Sequence, residues 1–176
     1  KKQLGISFLD VSTGEFLTSQ GNEEYIDKLL QNFSPSEILI QKNNRNQFKE
    51  SFGEDFNTFF FDVWVYQQDY AFETLTNHFQ TNSLKGFGIE ELHEGIISSG
   101  AILYYLSETQ HNRVQHITNI QRIAEDAYVW MDRFTIRNLE LYHSYNPNAV
   151  TLLDVIDKTL SPMGGRLLKR WLALPL

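Results

Sequence analysis

A chain of 176 residues that is 41% hydrophobic and 21% charged can bury a real core and reads as a globular protein of one or two domains, not as a disordered segment. Its net charge of −7 argues against general affinity for DNA, which needs concentrated positive charge. Zero cysteines exclude disulfides, thiolate metal sites and a cysteine nucleophile and fit a reducing, cytoplasmic setting; no apolar run approaches the roughly 20 residues of a bilayer span, so no membrane partner is expected.

Residues 2–17 read as a hairpin: Leu4, Ile6 and Phe8 alternate, Ser12, Thr13 and Gly14 form the turn, and Glu15, Phe16 and Leu17 return. KKQLGISFLDV enters its strand after two residues, as an excised piece would. In 22–33, Asn22 is placed to cap a helix, acids fill its first turn, and Ile26, Leu29, Leu30 and Phe33 recur at helical spacing until Pro35. The consecutive Ile38, Leu39 and Ile40 suit a strand covered on both faces, as in a sheet with helices on either side. A short helix is expected near 44–51. The run FNTFFFDVWVYQ (56–67) is β-rich by propensity, with a strand expected over 58–61. Over 70–79, Phe72, Leu75 and Phe79 share a helical face, and LKGFG then breaks the pattern. The stretch 92–110 is apolar nearly all round in its centre, the pattern of a buried helix. Ser98, Ser99, Gly100 and Ala101 would let another backbone approach it closely, at a propensity cost of about 1 kcal/mol for the glycine.

A polar interval over 112–126 separates this α/β half from the remainder of the chain, so domains are expected at 1–111 and 127–176, with 112–126 as linker. YVWM (128–131) reads as a short strand, Asp132 as the cap of a helix reaching about residue 142, and SYNPNAV as a loop around Pro147. Thr151 caps TLLDVIDKT; Ser161 caps the last segment, with Pro162 at the first helical position. No acid occurs after Asp157, and Lys158, Arg166, Lys169 and Arg170 make the ending basic, whereas 1–157 carries 22 acids against 11 bases. On a helical projection Arg166, Lys169 and Arg170 fall within an arc of about 100°, opposite Leu167, Leu168, Trp171 and Leu172. Gly164 lies on the apolar side, which suggests close packing against a neighbouring helix. Trp171 is expected to pack against the helices near 132–142 and 152–158, or against a second copy of the chain.

Candidate chemistry is sparse. Asp10, Glu37 and Asp62 lie at or near strand ends, where a ribonuclease-H-like nuclease holds two divalent metals. Each also has an ordinary reading: Asp10 accepting backbone N–H bonds at a turn, Glu37 and Asp62 as solvated element ends. A metal site needs three or four converging oxygens, so no catalytic, cofactor-binding or metal residue is assigned. His78, His93, His111, His116 and His143 are scattered, with no pair at i, i+4 to face one ion. The acidic pairs Glu23 and Glu24, Glu90 and Glu91, and Glu125 and Asp126 suit a basic partner or solvated helix starts equally. The thirteen Phe, eight Tyr and three Trp are spread along the chain and read as core before they read as a stacking surface.

TLLDVIDKTLSPMGGRLLKRWLALPL resembles the segment of the MutS family of DNA mismatch-repair proteins in which a short helix, a Thr/Ser-Pro-Met-Gly turn and an Arg-rich helix ending in Trp-Leu and Pro-Leu begin the core domain. Met131, Asp132, Thr135, Asn138, Leu139 and Glu140 resemble the family's preceding strand and helix. KGFGIEEL, the helix through Leu106, and the pairs Thr109, Gln110 and His116, Ile117 resemble the end of its connector domain. Asp10, Ser12, Thr13, Gly14, Glu15 and Phe16 resemble the connector's first hairpin, and Pro35, Glu37 and Ile38 its next strand. The aromatic stretch 56–66 departs from that pattern. The resemblance implies a fragment: a ribonuclease-H-like α/β connector domain, its mixed sheet flanked by helices, followed by the first α-helices of an all-α core or lever domain. It implies a structural and protein-interaction role, linking mismatch-binding and ATPase parts, docking MutL, and meeting other MutS domains and a second MutS subunit. Mismatched DNA would be bound only through the full-length protein. No G-x-x-x-x-G-K-[ST] loop occurs, so no cofactor is expected in this stretch, and ATP and Mg would belong to the full-length protein. The family's mismatch-reading Phe and Glu have the spacing of Phe48, Lys49 and Glu50, but this triplet falls in the connector and reads as a surface coincidence. The alternatives are a divalent-metal ribonuclease-H-like nuclease and a generic α/β binding domain.

Overall fold

A computed structural model of the chain describes residues 3–110, 114–123, 129, 131–142, 144, 146 and 148–175. Two compact units emerge, one of residues 1–27 and 35–123, the other of residues 28–34 and 124–176.

In the first unit β1 (Leu4–Asp10) and β2 (Glu15–Gly21) pair antiparallel, with Asp10 opposite Glu15. Asp10 makes the turn. Its Oδ1 accepts from the Ser12 N–H (2.9 Å) and hydroxyl (2.6 Å), its carbonyl accepts from the Gly14 N–H (2.9 Å), and Gly14 takes φ +76°, a left-handed value that costs glycine little. Asn22 Oδ1 then accepts from the Tyr25 N–H at 2.9 Å and caps α1 (Glu23–Phe33), whose last turns belong to the second unit. β3 (Ile38–Gln41) and β4 (Thr58–Phe61) run parallel, Ile38 opposite Thr58, connected through α2 (Arg45–Phe52).

The α/β architecture is present, but its sheet comes in two pieces, one of order β1-β2-β5 and one of β3-β4. Strand β5 (Gln121–Arg122) lies parallel to β2. The expectation that β3 is covered on both faces is corrected: Ile40 is buried, while Ile38 and Leu39 are only half-buried. Within the interval 112–126, residues 114–123 are folded into this unit, because Ile117 and Ile120 sit in its core with Phe16, Leu75, Leu84, Ile89 and Leu103. Burying each such side chain contributes about 1.5–3 kcal/mol.

Helix α4 (His93–Gln110) is the spine of the unit. Against α3 (Gln68–Phe79) it presents Gly100, where an added Cβ would stand 2.5 Å from Ala71 Cβ and 2.6 Å from Ala71 Cα. With that close approach Ala71 and Leu75 face inward and Phe79 packs against the same core, as expected of that face, while Phe72 is left 38% exposed. Against the hairpin, α4 makes a hydroxyl cluster. Ser7 Oγ lies 2.7 Å from Ser98 Oγ, 2.8 Å from Ser99 Oγ and 2.9 Å from Thr18 Oγ1. The Gly95 carbonyl accepts from Ser99 (2.7 Å), Ser98 (2.9 Å) and Thr18 (3.1 Å). Thr18 and Ser99 are fully buried, so these bonds satisfy groups that burial would otherwise penalise.

In the second unit, the expected strand over 128–131 lies largely outside the described residues; Val129 N–H donates to the Pro175 carbonyl at 2.8 Å. Asp132 caps α5 (Arg133–Asn138), its Oδ1 accepting from the Thr135 N–H at 2.7 Å. The helix does not reach residue 142. Glu140 takes φ +48°, its N–H donates to the Arg137 carbonyl (3.1 Å), and Leu141 N–H reaches back to the Ile136 carbonyl (3.2 Å), a Schellman ending. The Glu140 and Leu141 carbonyls, freed from the helix, accept from Leu152 and Leu153 at 3.2 and 3.1 Å. Helix α6 (Leu152–Ile156) opens with a reciprocal Thr151 and Asp154 capping box, and α7 (Pro162–Ala173) with Ser161 as cap and proline in its first turn.

Two expectations for α7 are corrected. The nearest neighbours of a Cβ on Gly164 would be Thr159 and Ser161, not another helix. Trp171 is 61% exposed, which corrects its expected burial against the helices near 132–142 and 152–158 and leaves the other expectation, a second copy of the chain, standing; Ala173 and Leu174 are the buried residues. The tail is held instead by the Tyr142 hydroxyl, which donates to the Lys169 carbonyl at 2.7 Å; burial pushes that phenol up to about 12.

Candidate interaction surface

A surface of six aromatic rings is built where β4, the turn after it, α3 and α4 meet. Strand alternation points Phe59 and Phe61 to one side, ring centroids 5.0 Å apart, and Phe60 to the other, where the Arg45 guanidinium stands 5.0 Å from its ring centre. Phe59 meets Tyr105 of α4 at 5.6 Å and Phe61 meets Tyr104 at 5.2 Å. Trp64, in the 3-10 turn Val63–Tyr66, stands 5.1 Å from Tyr104 and 5.1 Å from Tyr70 of α3. The ladder thus runs Tyr105, Phe59, Phe61, Tyr104, Trp64, Tyr70, mostly in the tilted or edge-to-face geometry that aromatic quadrupoles favour. It is not core: Trp64 is 45% and Phe59 43% exposed.

Its rim is acidic. The Tyr105 hydroxyl donates to Glu37 Oε2 at 2.6 Å, and that bond, with burial, raises the phenol above its ordinary value. Tyr104 is raised as well, by desolvation first and then by the charges of Glu108 and Asp62 and the neighbouring Tyr70. Asp62 is paired with Lys42 at 2.6 Å while both stay more than half exposed. Beside the ladder, the Tyr66 hydroxyl is buried without a hydrogen-bond partner among the described residues, and desolvation pushes it far up.

The three carboxylates weighed for a metal site each have a local occupation. Asp10 makes the hairpin turn, Glu37 holds Tyr105, and Asp62 pairs with Lys42. Among the described residues no group of three or more His, Cys, Asp or Glu comes together to hold a metal ion. His78 bonds the Ile117 carbonyl (2.8 Å), His93 the Gln68 side chain (2.9 Å) and His116 the Val11 carbonyl (2.6 Å); His111 and His143 lie outside the described residues. Phe48 is half-buried beside Phe52 and Phe56, and Lys49 is paired with Glu54. Glu23 and Glu24 open α1, Glu90 lies 3.6 Å from Lys85, and Glu125 and Asp126 are not described. The six rings are scattered from 59 to 105, which is why their pattern in the sequence reads as core. Phe59 and Phe61 at i, i+2 and the adjacent Tyr104 and Tyr105 are the signal that the sequence does hold.

The architecture is that of an α/β body followed in the chain by short, individually capped helices, with exposed aromatic rings on the body. The family model of MutS domain II matches residues 1–118, and that of MutS domain III residues 134–176. The chain belongs to the MutS family of DNA mismatch-repair proteins. It is 83% identical over 175 residues to the DNA mismatch repair protein MutS of Flavobacterium johnsoniae, covering 99% of the chain and 20% of that protein. Identity to the MutS of Flavobacterium psychrophilum is 82% over 176 residues, 100% of the chain and 20% of the relative. For Bacteroides fragilis it is 55% over 176 residues, with the same coverage. The chain therefore spans about a fifth of the length of the curated relatives it matches. Among the described residues no helix is long and apolar enough to cross a membrane.

Proposed function

We propose that this chain is the connecting and partner-docking part of a cytoplasmic MutS protein. It joins mismatch-binding and ATPase parts, docks MutL, and contacts other MutS domains and a second MutS subunit. It carries no catalytic, cofactor or metal residue of its own; ATP with Mg, and mismatched DNA, are handled by the rest of the protein. Residues 1–111, together with the core-forming 114–123, make the connector body, with a ribonuclease-H-like fold, and 127–176 begin the core. The observation that carries this reading is the match of domains II and III in sequence across almost the whole chain, at 83% identity to a DNA mismatch repair protein MutS.

Crosslinking with the cognate MutL, mapped by mass spectrometry, tests it. Crosslinks are expected within residues 1–110. Crosslinks confined to 127–176 would contradict the docking role of the connector body.

A further inference from the structure

We infer that the aromatic ladder on the first unit is the docking site for an arginine-bearing segment of a partner protein. This rests on the reading of that unit as a docking body and adds the surface and the chemistry of what it takes.

Three observations carry the inference. The first is exposure. Trp64 and Phe59 leave nearly half their surface open, although Val65, one residue from Trp64, is buried, so the chain had an apolar interior within reach and does not use it for the larger ring. Tryptophan and tyrosine packed as neighbours on an open face are the side chains that dominate contact surfaces. The second is charge. Glu37, Asp62 and Glu108 rim the rings, and Lys42 at that edge is already paired to Asp62. Aromatic faces attract cations, guanidinium above all, and carboxylates beside them offer a guanidinium its bidentate partner. Phosphate would be repelled by the same rim, which argues against a stacking platform for single-stranded nucleic acid, where a basic groove accompanies the rings. The third is that the strand already does this once: Arg45 stands 5.0 Å above Phe60 on the opposite face of β4.

The experiment uses nitrogen-15-labelled chain and a capped synthetic helical peptide bearing two arginines and two leucines on one face. Twin peptides carry lysine or glutamate in place of the arginines. The readout is the indole N–H resonance of Trp64, identified by its loss in Trp64→Phe. The arginine peptide should move that resonance saturably and bind about tenfold more tightly than the glutamate peptide, with lysine between them. Binding should fall about tenfold in the double variant Asp62→Asn, Glu108→Gln, whose exposed side chains leave the rings in place, and be lost in Trp64→Ala, where calorimetry replaces the indole signal as the readout. The inference is overturned if the glutamate peptide binds as tightly, if the double variant binds unchanged, or if single-stranded oligothymidylate moves the Trp64 resonance where the arginine peptide does not. Failure of the peptide to bind while MutL crosslinks persist within 1–110 removes this surface and leaves the docking role standing. Binding of the peptide without those crosslinks supports the surface and removes MutL as its occupant.

Discussion

The second unit is held at its helix starts by single side chains. Asp132, Thr151 with Asp154, and Ser161 each bond the backbone N–H that their helix leaves unpaired. Thr151→Ala removes the hydroxyl that accepts from the Asp154 N–H, leaving only the residue-151 N–H bond to the Asp154 carboxylate, and should lower stability by about 1 kcal/mol, read as a lower midpoint in thermal or urea denaturation followed by circular dichroism. Asp132, Asp154 and Asp157 are all held below the ordinary value of 3.8, foremost by hydrogen bonds from Thr135, Thr151 and Thr159 respectively. A carboxylate depressed on folding stabilises fully above its unfolded value and loses that contribution as the pH falls through the folded one. Helicity of the second unit should therefore hold down to about pH 4 and fall below it. In Asp154→Asn the acid limb should become shallower, which a pH titration of the circular dichroism signal at helical wavelengths checks.

At the scale of the element, α4 depends on glycine where propensity would prefer alanine. Gly100→Ala gains about 1 kcal/mol of helix propensity but drives a methyl into the Cα of Ala71, and overpacking of that kind costs about 1–3 kcal/mol. A net loss and a lower melting temperature are expected, whereas Gly86→Ala, with no atom within 4 Å, should melt like the parent. On helix α7 the apolar stripe is only partly covered, Leu168 and Leu172 being half-buried and Leu167 and Trp171 exposed. With Trp171 61% exposed and Ala173 fully buried, Trp171→Ala should change the melting of the isolated chain by less than about 0.5 kcal/mol. Ala173→Leu should destabilise it by overpacking, and paired thermal melts separate the two. Caps and turns at Asn22, Asp132, Thr151, Ser161 and Gly14 were legible because each is a bargain between a side chain and its own neighbouring backbone. The end of α5 was not, because it depends on carbonyls given over to Leu152 and Leu153. Nor was the division of the sheet or the inward turn of Ala71, both set by distant partners.

As a whole molecule the chain joins a hydroxyl-pinned α/β body to a set of short helices. The sequence holds no G-x-x-x-x-G-K-[ST] loop, and the expected outcome of calorimetry with ATP and magnesium is no saturable heat; micromolar binding would contradict this. The MutS resemblance was legible from the Pro-Met-Gly turn onward because that segment is short, contiguous and chemically unusual. The ladder of rings escaped because it is a property of three elements at once, and its residues look like core until their exposure is known.

The clasp between α4 and the hairpin has a mechanical consequence. Gly5 lies so close beneath the Glu94 backbone that a Cβ there would meet its carbonyl, and Gly95 offers its carbonyl to hydroxyls from both sides. Sliding the helix by one residue, about 1.5 Å, would carry the Gly95 carbonyl away from Thr18 and lift the Glu94 backbone off its seat on Gly5. An apolar seam of similar size would be registered by shape alone. This one is keyed like a shaft in its collar: a push along α4 is delivered to β1 and β2 without slip.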